Sequence, residues 1–153
     1  MERYFNLFYS CNQRISIDSR TVESGSLFIA IVGTTFNGNQ FIQSALDNGA
    51  SYCITSEETL SDGERIFYVS DTLLFLQKLA NFHRSRFAIP VIGITGSNGK
   101  TTTKELIVAV LTMKFNVLFT EGNLNNHIGV PLTLLRLKPH HEIAVIEMGA
   151  NKP

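Results

Sequence analysis

The fold is decided by the stretch Gly93-Ile94-Thr95-Gly96-Ser97-Asn98-Gly99-Lys100-Thr101-Thr102. A short apolar strand, residues 91–95, leads into it, and a helical pattern with one apolar face, residues 101–113, follows it. Glycines at a strand-to-helix turn let backbone N–H groups converge on an anion, and the helix N-terminus adds unpaired donors. The stretch therefore predicts a phosphate-binding loop, although Ile94 stands where the strict P-loop pattern has glycine.

Side chains with the chemistry of a nucleotide site lie on or near this loop. Lys100 can reach terminal phosphates, and the hydroxyl of Thr101 can ligate Mg²⁺. Residues 143–148 form a buried-type strand that carries Glu147, and the carboxyl ends of parallel strands meet at one edge of a sheet. We therefore predict a site for bound phosphates with Mg²⁺ as cofactor, and Thr101 and Glu147 as metal ligands. The predicted phosphate-site residues are Thr95, Gly96, Ser97, Asn98, Gly99, Lys100, Thr101 and Thr102.

Simpler interpretations of these residues remain open at this point. The loop could be a glycine-rich turn with an exposed lysine, and Glu147 could simply reach solvent at a strand end. The loop at residues 122–131 is dense in asparagine and follows the next strand, so it should lie on the same edge. Its amides could bond phosphate oxygens or metal-bound water, but asparagine and glycine are also ordinary loop formers.

Strands and helices alternate along the chain, which predicts an α/β fold with parallel pairing and right-handed crossovers. Pro90 interrupts helical structure, and we place a domain boundary there. The prediction is a small mixed-sheet domain at residues 1–88, followed at 89–153 by the start of a P-loop parallel-sheet domain. Three parallel strands need helices on both faces. The second segment does not supply them, so we expect the N-terminal piece of a longer protein. The predicted strands are 16–18, 27–32, 52–55, 66–69, 91–95, 116–119 and 143–148, and the predicted helices are 39–48, 72–84, 101–113 and 131–137.

Composition excludes several classes of protein. The 13 basic and 13 acidic side chains balance, which argues against a general binder of nucleic acid or membrane surfaces. No apolar stretch approaches the length of a membrane span, and the first residues lack a secretory signal pattern. Two cysteines do not make a disulfide framework, so a reducing cytoplasm fits best. We expect no nucleic-acid partner, no membrane insertion and a monomeric full-length protein.

Residues 95–103 resemble the ATP loop of the Mur ligases, which build the peptide stem of the bacterial cell wall. Within that family, residues 122–131 and the motif Glu147-Met148-Gly149-Ala150-Asn151 are similar to those of the members that use UDP-N-acetylmuramoyl-tripeptide and D-alanyl-D-alanine. Asp18-Ser19-Arg20 and residues 33–41 are similar to the family's segments that bind the uridine nucleotide. The resemblance covers nearly the whole chain.

The resemblance implies a ligase of peptidoglycan synthesis. ATP phosphorylates a substrate carboxylate, and an amine then attacks the acyl phosphate to form an amide. Lys100, Glu147 and Asn126 are implied as catalytic residues, with Asn125 also on the phosphate side. The implied residues for the UDP substrate are Ser19, Arg20, Thr34, Thr35, Asn37 and Gly38. The lysine, histidine and dipeptide-binding domain that the family also needs lie after the equivalent of Pro153, so we expect this chain alone to be inactive.

The residues of the first domain support a nucleotide site independently but weakly. The loop from Gly33 to Gly38 precedes a helix and could present N–H groups, while Arg20 could hold a phosphate with two hydrogen bonds. Arg20 could equally form a surface ion pair. Other functions also stay open: another Mur-type amide ligase, tripeptide-adding or folate polyglutamate, or a nucleotide-binding module without catalysis.

Overall fold

The structure is a computed structural model that describes residues 1–149. The predictions that concern residues 150–153, including the last two positions of the Glu147 motif, lie outside the described residues. The chain divides into two compact units, Met1–Leu79 and Ala80–Pro153. No helix in the described part is both long and apolar enough to cross a bilayer.

The first unit contains a four-stranded sheet with helical segments between the strands. Its helices are α1 (Glu2–Ser10), α2 (Ile42–Asp47) and the first turns of α3 (Thr72–Arg84). Its strands are β1 (Ile15–Ser16), β2 (Leu27–Ile29), β3 (Tyr52–Thr55) and β4 (Ile66–Tyr68). Short 3₁₀ turns cover Ser19–Thr21, Gly38–Phe41 and Glu58–Leu60.

The four strands pair in the order β1-β2-β3-β4, and every pairing is parallel. The α/β class is confirmed, but the expectation of a mixed sheet is wrong for the described strands. The physical reason is in the connections, because each one contains a helical segment that carries the chain back to start the next strand in the same direction. β2 is buried along its length, as its unbroken apolar sequence predicts.

One hydrophobic core of this unit lies between the sheet and α2. Phe28, Ala30 and Cys53 from the sheet side pack with Ile42 and Ala45 of the helix. Cys11 and Cys53 are both buried thiols without a disulfide. Burial raises the pKa of Cys53 to about 12, so this thiol behaves as a small apolar side chain.

The second unit contains β5 (Val91–Ile94), α4 (Lys100–Leu111), β6 (Val117–Phe119), α5 (Gly129–Leu135) and β7 (Ile143–Glu147). The strand order is β5-β7-β6 with parallel pairing throughout, so β7 is central although it comes last. Its side chains contribute to two hydrophobic cores on opposite faces of the sheet. Ala144 and Ile146 pack with Leu118 and Leu137, while Val145 packs with Val108 of α4 and its neighbours.

The face of α4 that the sequence pattern predicts as buried is only partly so. Leu106 and Val110 are 65% and 70% exposed, whereas Lys104 and Val108 are buried. Apolar residues lie on more than one face of this helix, so the sequence pattern alone does not show which face packs on the sheet. The helix itself begins at Lys100, one residue earlier than predicted.

The division between the units falls inside α3, earlier in the chain than the predicted boundary at residue 88. The last turn of α3 belongs to the second unit and bonds within it. The guanidinium of Arg84 donates to the carbonyls of Phe87 and Ile89, and Nε2 of the buried His83 lies 3.1 Å from the Leu137 carbonyl oxygen. The domain limits at 1–88 and 89–153 stay a prediction.

Candidate nucleotide site

The loop between β5 and α4 has the backbone that its glycines predict. Gly96 has φ +144° and Gly99 has φ +74°, conformations that side-chain-bearing residues rarely adopt. Ser97 and Asn98 between them are exposed, and α4 begins immediately after Gly99. Nζ of Lys100 folds back to donate to the Gly96 carbonyl oxygen, so the ammonium lies over the loop. The loop therefore presents its backbone and one cation to solvent at a helix N-terminus.

Glu147 meets this loop from the end of β7. It pairs in register with Ile94, the last residue of β5, and is 1% exposed. Its Oε1 accepts from Oγ1 of Thr101 at 3.2 Å and from Nδ2 of Asn125 at 2.7 Å. Its Oε2 is buried and has no hydrogen-bond partner among the described residues. The sequence thus places Thr101 and Glu147 together correctly, and the parallel register is the cause.

The backbone of Glu147 is held by the neighbouring strand end. Its N–H donates to Oγ1 of Thr120 at 3.0 Å, and Thr120 itself follows β6 and is fully buried. The N–H of Thr120 donates in turn to the Val145 carbonyl at 3.1 Å. These two bonds join the carboxyl ends of β6 and β7, so the position of Glu147 at the end of the sheet is fixed.

A buried lysine that the sequence analysis did not select completes the cluster. Lys104 is 1% exposed, and its Nζ donates to the Thr120 carbonyl oxygen at 2.7 Å. The same nitrogen lies 3.0 Å from Oε1 of Glu105 and 3.9 Å from Oε2 of Glu147. Its spacing of four residues from Lys100 was a usable signal, because such residues share one helix face. A lysine on a helix is normally solvated, so this spacing alone does not predict its burial.

Two neighbouring asparagines of the asparagine-rich loop have different hydrogen-bond partners. Asn125 reaches Glu147, and its carbonyl accepts from the Gly149 N–H at 2.7 Å. Asn126 instead turns its Oδ1 to the N–H groups of Ile128 and Gly129, at 3.0 and 2.8 Å, just before and at the start of α5. The helix begins at Gly129, two residues earlier than the predicted start at Pro131. The structure therefore brings Asn125, rather than Asn126, to the carboxylate.

The predicted uridine segment Asp18-Ser19-Arg20 lines a cavity of about 380 Å³ in the first unit. Aromatic side chains form much of the remaining wall, and two of them, Phe36 and Phe41, stack with ring centres 5.4 Å apart. Arg20 pairs with Asp18 at 2.6 Å on the exposed side. The hydrogen bond from the guanidinium is the main reason that the pKa of Asp18 falls to about 2. The cavity is lined by Ile17, Asp18, Ser19, Arg20, Phe28, Phe36 and Phe41.

The N–H groups of the two glycines that bound the loop from Gly33 to Gly38 are bonded within the protein. The N–H of Gly33 donates to Phe36, and the N–H of Gly38 donates to Ile31. Oδ1 of Asn37 accepts from the Asn39 N–H at 3.0 Å, which closes the helix start. The other two predicted residues of this loop, Thr34 and Thr35, are exposed.

Comparison with known proteins identifies the class of this molecule. Residues 94–153 match the Mur ligase middle domain, and residues 13–84 match the catalytic domain of the Mur ligase family. The two matches leave only short segments of the chain uncovered. The chain belongs to the Mur ligase family, a class of ATP-dependent ligases.

The relatives point to one branch of that family. The chain is 50% identical over 137 residues to the UDP-N-acetylmuramoyl-tripeptide–D-alanyl-D-alanine ligase of Synechocystis sp., and 42% identical over 137 residues to that of Bacillus subtilis. Each match covers 88% of this chain and 30% of the relative. The chain thus spans less than a third of the length of these relatives.

Solved structures agree with this placement. MurF from Acinetobacter baumannii is 42% identical, with a TM-score of 0.83 over 90% of this chain and 30% of its own. MurF from Thermotoga maritima, solved in complex with ADP, is 39% identical with a TM-score of 0.83 over 94% of this chain and 33% of its own. A 2,6-diaminopimelate ligase at 22% identity and a TM-score of 0.56 shares the fold alone.

Proposed function

We propose that this chain is part of an ATP-dependent ligase that joins D-alanyl-D-alanine to UDP-N-acetylmuramoyl-tripeptide through an acyl phosphate, in peptidoglycan synthesis. The observation that carries the proposal is the meeting of Lys100, Thr101 and Glu147 at one sheet edge. Relatives of the branch that forms this bond support the choice of substrates. Because the reaction draws on ATP, we also propose the cytoplasm as its location.

Lys100 is the proposed phosphate ligand. Its ammonium lies over the loop through its bond to Gly96, and a phosphate on the loop N–H groups would come within its reach. Phosphoryl transfer to a carboxylate needs positioning and charge stabilisation more than covalent help from the protein. Lys100 supplies the positive charge, and the loop backbone supplies N–H donors.

The residues present suit Mg²⁺. Oε2 of Glu147 is a buried carboxylate oxygen without a hydrogen-bond partner in the described chain, and such an atom gains from a cation ligand. Thr101 would contribute its hydroxyl and Glu147 its carboxylate, which are hard oxygen ligands of the kind that Mg²⁺ prefers. When bound there, the ion would neutralise negative charge on the phosphates. Asn125 would keep Glu147 oriented through its bond to Oε1.

The first unit is the proposed holder of the uridine end of the substrate. Its cavity joins stacked aromatic rings to Ser19 and Arg20. Arg20 is exposed and forms an ion pair with Asp18. A phosphate could compete with Asp18 for the guanidinium. The cavity, and not the N–H groups of the Gly33–Gly38 loop, is what supports this part of the proposal. Thr34 and Thr35 remain proposed contacts at its exposed rim.

Calorimetry on the chain tests the nucleotide site. Wild type should bind ATP in the presence of Mg²⁺, and Lys100→Ala should weaken that binding at least tenfold, because one charge-assisted bond is worth about 1.5–3 kcal/mol. Lys114→Ala is the matched control, because this exposed lysine lies over Phe115 and away from the loop. Equal ATP affinity in wild type and Lys100→Ala would refute the assigned role.

A parallel titration tests the uridine end. UDP should bind to wild type and more weakly to Arg20→Ala, with Arg14→Ala as the control for loss of an exposed arginine in the same unit. Heat from ATP but none from UDP would favour a nucleotide-binding module over this ligase. The ligase activity itself is measured on the full-length protein, as phosphate release with both peptide substrates present.

A further inference from the structure

Lys104 has no role in the site as proposed so far, yet it is among the largest fully buried side chains of the chain. Burying an ammonium costs several kcal/mol unless it is paired and hydrogen-bonded. If α4 only packed on the sheet, leucine or methionine at this position would make the fold more stable than lysine. The lysine therefore calls for an explanation in terms of charge.

The partners of Lys104 are of two kinds. The Thr120 carbonyl and Glu105 take hydrogen-bond-length contacts at 2.7 and 3.0 Å, but Glu105 is 61% exposed and its charge is screened by water. Glu147 is the buried partner, with both side chains 1% exposed and 3.9 Å between Nζ and Oε2. Inside the protein, the charge of Lys104 is thus balanced by Glu147.

We propose that Lys104 is the counter-ion of Glu147 and a positioning residue that makes cation binding at this site depend on the nucleotide. The proposal rests on the function proposed above. With Lys104 in place, the buried pair carries no net charge, so a free divalent cation gains little by approaching Glu147. A polyphosphate on the loop brings the negative charge that the pair lacks, and the cation enters with it.

The ligand count supports the same conclusion. Among the described residues, no group of three or more His, Cys, Asp or Glu side chains could hold a metal ion. One carboxylate and one hydroxyl are too few for a hard cation that seeks six oxygens, unless phosphates and water complete the set. The positive charge of Lys104 and the small number of ligands both lower the affinity of this site for a cation that binds without nucleotide.

Binding of Mn²⁺ in the absence of nucleotide, followed by electron paramagnetic resonance of the free ion, tests the proposal. Lys104→Met keeps the length of the side chain and removes its charge. It should bind Mn²⁺ about tenfold or more tightly than wild type, because a like charge a few ångströms from the ion is removed. Lys114→Met, with the same change at an exposed position, should match wild type.

The double variant Lys104→Met/Glu147→Gln is the second test. It should lose the gained Mn²⁺ affinity, and it should unfold at higher denaturant than Lys104→Met, since the buried charge that lost its partner is gone. If Lys104→Met does not fold, folding of the double variant supports the pairing. If neither variant folds, the lysine is needed for its bond to Thr120 rather than as a counter-ion, and the proposal is overturned.

A folded Lys104→Met that binds Mn²⁺ no more tightly than wild type would also overturn it. Failure of the proposed function is a separate result. Wild type that does not bind ATP would contradict the nucleotide site, whereas the Mn²⁺ comparison contains no nucleotide and is interpreted without it.

Discussion

Replacing Thr120 by valine isolates a single hydrogen bond under the candidate site. The side chain is fully buried, and valine has nearly its shape. The carbonyl of residue 120 still accepts from Lys104, because that bond uses the backbone. What is lost is the acceptor for the Glu147 N–H, which lies 3.0 Å from Oγ1 in wild type. A buried N–H without an acceptor costs about 1–3 kcal/mol, so the free energy of unfolding should fall by that amount.

Thr133→Val is the matched control. Thr133 is also fully buried, but its hydroxyl donates at 2.9 Å to the Gly129 carbonyl, which lies four residues earlier in α5. That carbonyl keeps its helical backbone bond, so the substitution leaves no buried group unpaired. Its cost should stay under about 1 kcal/mol.

Urea unfolding followed by circular dichroism measures both variants, because the chain has no tryptophan to serve as a fluorescence probe. Hydrogen exchange of the peptide that contains β7 adds a local readout, and the Glu147 amide should exchange faster in Thr120→Val only. Equal losses of stability in the two variants would show that the hydroxyl of Thr120 acts by packing, and that the acceptor role assigned to it is wrong.

Two further predictions concern the first unit. Gly38→Ala should destabilise it by about 1–3 kcal/mol, because a Cβ would lie 2.5 Å from the Ile31 carbonyl oxygen, whereas Gly33→Ala, whose Cβ would meet nothing closer than 3.9 Å, should unfold like wild type. Asp18 should titrate near pH 2 by nuclear magnetic resonance, and Arg20→Gln should raise its pKa toward the ordinary value of about 3.9. Since the folded pKa is the lower one, the stabilisation by this pair is complete above pH 3.9 or so and disappears as the pH falls toward 2. Wild-type Asp18 titrating at its ordinary value would mean that the ion pair does not persist in solution.

The main features of the second unit could be predicted because each has a local cause. Gly96 and Gly99 predict a turn that only glycine tolerates, and the apolar run before Glu147 predicts a buried strand. Once both strands are assigned to one parallel sheet, their carboxyl ends must share an edge. The strand register alone therefore predicts that Thr101 and Glu147 lie close together.

Features that depend on tertiary partners were not predictable in the same way. α1 was missed because no side chain caps its start and because aromatic residues favour strands as much as helices. The burial of Lys104 depends on a carbonyl at Thr120, which is 16 residues away in sequence. Whether Asn125 or Asn126 contacts Glu147 depends on the conformation of single residues in the loop. A periodic sequence pattern does not determine that conformation.

The position of β7 between β5 and β6 has a consequence for how the chain acquires its structure during synthesis. A ribosome delivers β5 and β6 first, but these strands are not neighbours in the sheet, so neither can complete a ladder when it emerges. The sheet can close only after residue 147 has left the exit tunnel, when β7 pairs with both earlier strands at once. Until then the unpaired edges of β5 and β6 remain available to chaperones or to other nascent chains, which exposes this unit to aggregation while it is being synthesised.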